Sequence, residues 1–141
     1  MTKLITIAVD AMGGDDSPKK VIEGINLHYK KNKNIFYKIF GNKNVIEKII
    51  SEKSINKENY ELIHTDEKIE NEDTALAAAK RGKKTSMWLA IESVKNKSSD
   101  IVVSAGNTGA LFVIAKLNLK MIEKIDKPAL AGLWPNKTGM N

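Results

Sequence analysis

The sequence predicts an α/β fold built on a mostly parallel sheet. Three observations carry that reading. Short runs rich in Ile, Val and Phe alternate with longer segments of helical periodicity, as in the run Leu4–Asp10 followed by the 17–31 stretch. Glycine-bearing turns follow two of those runs, at Gly13-Gly14 and at Gly106–Gly109. Both turns fall at the carboxyl ends of expected strands, where a parallel α/β sheet places its ligands.

The elements follow in order. Leu4–Asp10 reads as a buried strand bounded by Gly13-Gly14, and Ser17-Pro18 marks a helix start with Pro at the first helical position. Val21, Ile22, Ile25 and Leu27 supply that helix's apolar spacing. Ile35–Phe40 is a second strand closed by Gly41-Asn42. Val45, Ile46, Ile49 and Ile50 form the inward stripe of a short second helix, and Glu61–His64 is a brief third strand. The acidic segment Thr65–Asp73 lacks periodicity and reads as a loop. Thr74–Lys80 is alanine-rich and helical, Gly82 ends it, and Thr85–Lys95 forms another helix with Met87, Trp88, Ile91 and Val94 inward. Asp100–Ser104 is a short buried strand, and its helix is expected from Asn107 to about Lys124. Pro128–Trp134 starts a further strand, and Pro135–Asn141 resembles a hairpin turn. One domain over residues 1–141 accommodates all of this, and on this reading the chain looks cut short.

Composition narrows the function classes. The 141 residues are 42% hydrophobic and 28% charged, which is ordinary for a globular protein with its own core. Cysteine is absent, so disulfides, thiol nucleophiles and thiolate metal sites are excluded, in keeping with a cytoplasmic setting. The N-terminus lacks a signal-peptide pattern, and no apolar run approaches the ~18–20 residues of a spanning helix. The net charge of +6 does not indicate nucleic-acid binding, because Arg81 is the single arginine and the lysines are interleaved with glutamates. Neither His28 nor His64 belongs to a triad or a metal-ligand spacing, so both read as structural and no metal is expected. Trp88 and Trp134 sit in apolar contexts and read as core.

Two turns carry chemistry. In Ser104-Ala105-Gly106-Asn107-Thr108-Gly109, glycines permit close backbone approach and a helix start offers unpaired N–H groups, with hydroxyls and an amide alongside. That pattern suits phosphate or another oxyanion. In Asp10-Ala11-Met12-Gly13-Gly14-Asp15-Asp16, the carboxylates could hold a substrate hydroxyl, order a neighbouring loop or bind a cation. Equally, Asp15, Asp16 or Ser17 could cap the next helix. The Gly-x-Gly-x-x-Gly fingerprint is missing, which argues against a dinucleotide cofactor, and Gly82-Lys83-Lys84-Thr85-Ser86 lacks the order of a Walker loop. Arg81, Lys83 and Lys84 still concentrate positive charge, either for an acidic partner or as a solvated helix junction.

The motifs Ile7–Asp15, Thr85-Ser86-Met87, Val103–Leu111 and Asp126–Leu130, in that order, resemble the PlsX family of phosphate acyltransferases of fatty acid and phospholipid synthesis. The resemblance implies a three-layer α/β/α Rossmann-like fold similar to isocitrate and isopropylmalate dehydrogenases. It implies acyl transfer from acyl-acyl-carrier protein to inorganic phosphate, giving acyl phosphate with no nucleotide cofactor. Homodimers associated peripherally with the inner membrane face are also implied. Asp10, Gly13, Gly14, Asp15, Ser104, Gly106, Asn107, Thr108 and Gly109 are then the expected phosphate or substrate residues, and Arg81, Lys83 and Lys84 the carrier-protein contacts. Family members are expected to continue past residue 141 through an Asp-Leu-Gly-Ala-Asn stretch with further active-site residues. The catalytic residue is not assigned, and the alternative is an inactive remnant that at most binds phosphate.

Overall fold

A computed structural model describes residues 4–133, 135–136 and 139–140. Strands β1 (Ile5–Asp10), β2 (Ile35–Gly41), β3 (Tyr60–His64) and β4 (Ile101–Ser104) form one parallel sheet in the order β3-β2-β1-β4. Helices α1 (Lys19–Lys31), α2 (Lys43–Ile50), α3 (Ala75–Arg81), α4 (Ser86–Lys95) and α5 (Thr108–Asn118) lie in the connections. The register is continuous across the centre, with Val9 facing Ile39 on one side and Val103 on the other.

The period-two alternation of β1 sorts its side chains between two helical layers. Ile7 and Val9 join Tyr37 and Ile39 of β2 against Ile22, Ile25 and Tyr29 of α1 and Ile46 and Ile50 of α2. Ala8 and Phe40 face the opposite way, onto Ala90 of α4. Beyond α4, Met87, Trp88 and Ile91 pack with Ala78 of α3, Ala110 and Ile114 of α5, and Ile69 from the acidic loop. This is the α/β/α layering that the family resemblance implies, with Asp10 on the α4 side.

Side-chain caps fix most helix starts. Asn42 Oδ1 accepts from Val45 N (3.1 Å), Thr74 Oγ1 from Ala77 N (3.2 Å), Thr85 Oγ1 from Trp88 N (3.3 Å) and Asn107 Oδ1 from Ala110 N (3.0 Å). Helix α1 is the exception. Pro18 occupies its N-cap and no side chain caps it, so the capping expected of Asp15, Asp16 or Ser17 is not made. Asp16 instead pairs with Lys20 (2.8 Å), and Ser17 Oγ donates to the Gly13 carbonyl.

Several expectations are corrected. Leu27 is 63% exposed, because Ile22, Ile25 and Tyr29 define the inward stripe of α1, and Val45 is likewise outside the stripe of α2. β4 is not buried: as the sheet's edge it leaves Ile101 and Val103 half exposed. α5 ends at Asn118, six residues before Lys124, where Asn118 Nδ2 donates to the Ile114 carbonyl and Leu119 N to that of Ala115. Past that point Met121, Ile122 and Ile125 are exposed, and a helix without a packed face loses its main support. Residues 128–133 form no strand, since no neighbour offers them a ladder; Pro135–Asn136 and Gly139–Met140 make a two-residue antiparallel pair, β5 and β6. Trp134 lies outside the described residues. Among the described residues no helix is long and apolar enough to cross a membrane.

Candidate phosphate site at the ends of β1 and β4

The two glycine turns leave the carboxyl ends of adjacent strands, where open α/β sheets place their ligands. They touch each other backbone to backbone. A Cβ on Gly13 would sit 2.6 Å from Asp10 Oδ2 and 2.9 Å from Gly106 N, and one on Gly106 would sit 3.2 Å from Gly13 Cα. Gly14 combines φ +88° with a Cβ position 2.6 Å from the Ala105 carbonyl oxygen. Glycine is therefore required at Gly13 and Gly14 by space, and at Gly14 by backbone conformation as well.

Asp10 organises this junction. Its side chain is 1% exposed, and its oxygens accept from Ser86 Oγ (2.7 Å), Ser104 Oγ (2.8 Å) and Met12 N (3.2 Å). Ser104 Oγ in turn accepts from Gly106 N (3.1 Å). Three chain segments, β1, the start of α4 and the end of β4, thus meet on one carboxylate. Of the roles open to Asp10 in the sequence, ordering neighbouring loops is the one its partners fit. Ser86 was read only as part of a motif. Nothing local signals its role, because it depends on α4 passing beneath β1.

The acidic loop is stitched across the same junction. Asn71 Nδ2 donates to Asp15 Oδ1 (2.9 Å), while Asn107 Nδ2 donates to the carbonyls of Asn71 (3.0 Å) and Asp73 (2.8 Å). Thr65 Oγ1 donates to the Lys84 carbonyl (2.5 Å), and Ser86 N to that of Glu67 (3.0 Å). The side-chain donors of Ser104 and Asn107 are therefore already engaged within the protein. Thr108 and Gly109 are exposed in the first turn of α5, whose N–H groups precede any intrahelical acceptor. They are exposed donors of this turn.

The remaining candidates lie to one side. Arg81 pairs with Asp73 (2.8 Å), which ties the end of α3 to the acidic loop, whereas Lys83 and Lys84 are exposed beyond Gly82. Both histidines make local contacts. His28 Nδ1 lies 2.8 Å from the Tyr37 hydroxyl, whose ionisation burial pushes above the ordinary tyrosine range, and His64 Nδ1 accepts from Lys43 N (3.2 Å). Among the described residues no group of three or more acidic or histidine side chains is placed to hold a metal ion.

Similarity to known proteins agrees with the motifs. The family described as "Fatty acid synthesis protein" matches residues 5–141. A phosphate acyltransferase of Pelagibacter ubique is 63% identical over 141 residues, covering all of this chain and 42% of the relative. Phosphate acyltransferases of Parvibaculum lavamentivorans and Nitrobacter hamburgensis are 42% and 39% identical over 140 residues, covering 99% of this chain and 39% and 40% of their own lengths. The chain thus spans about two fifths of the curated relatives it matches. With that family model matching nearly the whole chain, the chain belongs to the fatty acid synthesis protein family.

Proposed function

We propose that this chain carries the phosphate-binding part of a phosphate acyltransferase that converts acyl-acyl-carrier protein and inorganic phosphate to acyl phosphate. The observation that carries the reading is the pair of interlocked glycine turns at the ends of β1 and β4, in a chain whose relatives bear that name. In the reaction a phosphate oxygen attacks the thioester carbonyl. A C–O bond forms, the C–S bond breaks, and the carrier protein's thiol leaves with a proton.

Such chemistry asks for an oriented nucleophile and fixed donors more than for a covalent enzyme intermediate. The backbone N–H groups of Thr108 and Gly109 and the Thr108 hydroxyl receive the phosphate. Ser104, Gly106 and Asn107 hold the turn in shape, and Asp10, Gly13, Gly14 and Asp15 form the adjoining wall. Lys83 and Lys84, exposed and basic, meet the acidic carrier protein, with Arg81 anchoring the loop beside them. The whole protein acts as a homodimer at the inner membrane face, in the cytoplasm, without a nucleotide cofactor.

A chimera tests this reading. Residues 1–141 replace the matched segment of the Pelagibacter relative, and phosphate-dependent loss of acyl-acyl-carrier protein is followed. Turnover that rises with phosphate is the expected result. A folded chimera that leaves the thioester intact, beside an active unmodified relative, would contradict the proposal. A second reading has support from the half-exposed β4 edge: alone, the chain binds phosphate without performing the transfer.

A further inference from the structure

Asp10 is buried and spends its oxygens on two serines and one backbone amide. Its own ligands explain its position. The hydroxyls of Ser86 and Ser104 both donate to the Asp10 carboxyl group, so their protons point at it. With its proton committed, Ser104 presents a lone pair, and the Gly106 N–H donates to it at 3.1 Å. The direction of each bond in the series Gly106 N–H to Ser104 O–H to Asp10 is therefore set by the acceptor at its end.

We propose that Asp10 is a positioning residue. It acts through Ser104 to fix the Gly106–Gly109 turn in the form that receives phosphate, and Ser86 steadies it from α4. The inference rests on the phosphate reading above and goes beyond it by assigning the work of Asp10 and Ser86. Neither residue touches the anion. Both act through the backbone they hold.

The replacement Asp10→Asn makes a specific demand. Met12 N–H needs an acceptor on the Oδ1 side, so the new carboxamide keeps its oxygen there and turns its NH2 toward Ser104. Ser104 Oγ then becomes an acceptor for that group. Its proton is displaced from residue 10, and Gly106 N–H loses its undivided partner. A structural defect elsewhere would not reproduce this exchange of donor and acceptor.

The experiment uses the 141-residue chain with inorganic phosphate, reading affinity by calorimetry and the Gly106 amide by 15N-resolved NMR. Asp10→Asn is expected to move the Gly106 resonance and to weaken phosphate binding about tenfold. Ser86→Ala, which removes one small hydroxyl, should act in the same direction and more weakly. Ser93→Ala serves as the control. Ser93 is equally a buried serine of α4, bonded to Ser98 (3.0 Å) and Ser99 (2.5 Å), and its loss should lower Tm without touching either readout.

Wild-type affinity in a folded Asp10→Asn chain, or equal weakening by Ser93→Ala, would overturn the assignment. If the unmodified chain takes no phosphate, the phosphate reading itself fails. The Gly106 resonance then decides the relay alone, and an unmoved signal in Asp10→Asn overturns it.

Discussion

The two ends of the sheet differ sharply in how they are finished. On the β2 and β3 side, α1 and α2 close over Tyr37, Ile39, Ile22 and Ile46, all of them 2% exposed or less. On the β4 side the same kind of residue is left uncovered. Ile101 and Val103 are half exposed, and a groove of about 370 Å3 opens between β4 and α1, lined by Ile7, Val9, Val21, Ile25 and Val103. Farther along, Ile122, Leu130 and Leu133 are between 68% and 78% exposed. Apolar composition alone does not bury a strand; burial requires a neighbour on its face and its edge. The candidate site lies at the seam between these regions, with β1 in the finished half and β4 at the open edge.

The largest test of that contrast is a pair of truncations. Ile39→Ala, in the closed half, should cost about 2–5 kcal/mol in denaturant unfolding, whereas Val103→Ala should stay within about 1 kcal/mol. Comparable losses at both positions would erase the distinction. Next comes the seam itself. Gly13→Ala forces a methyl between Asp10 and Gly106 and should destabilise by about 1–3 kcal/mol, with phosphate binding lost in parallel. A variant with unchanged unfolding and phosphate affinity would show that the turns are not interlocked.

A smaller effect separates the two jobs of Asn107. Asn107→Ala removes both the cap of α5 and the clamp on the acidic loop and should cost about 0.5–2 kcal/mol. Asn107→Asp keeps an accepting oxygen for Ala110 N but cannot donate to Asn71 and Asp73. Stability should then largely return, while limited proteolysis within residues 66–73 stays accelerated. The smallest stability change belongs to the open half. Leu133→Lys should fall within about 0.5 kcal/mol of the parent yet reduce self-association measured by sedimentation.

What the sequence revealed divides along the same line. Strands β1, β2 and β3 and the helix starts at Thr74, Thr85 and Asn107 were legible, because hydrophobic runs and capping residues act locally. The glycine turns were legible as turns at strand ends for the same reason. Burial of β4, the extension of α5 to Lys124 and the strand at 128–134 were misread, since each was inferred from apolar content while its packing depends on partners elsewhere. The spending of side chains was hidden too. Nothing near Ser104 shows that its hydroxyl donates to Asp10, 94 positions away, nor that the Asn107 amide is held by Asn71 and Asp73.

The central claim is that the junction of the β1 and β4 turns receives phosphate. A 15N-resolved titration of the unmodified chain with inorganic phosphate tests it most directly. Saturable, concerted movement of the Gly106, Thr108 and Gly109 amides is expected, with the start of α2 at Asn42–Val45 unmoved as an internal reference. No movement at the junction, or movement confined to the exposed Lys83 and Lys84, would contradict it.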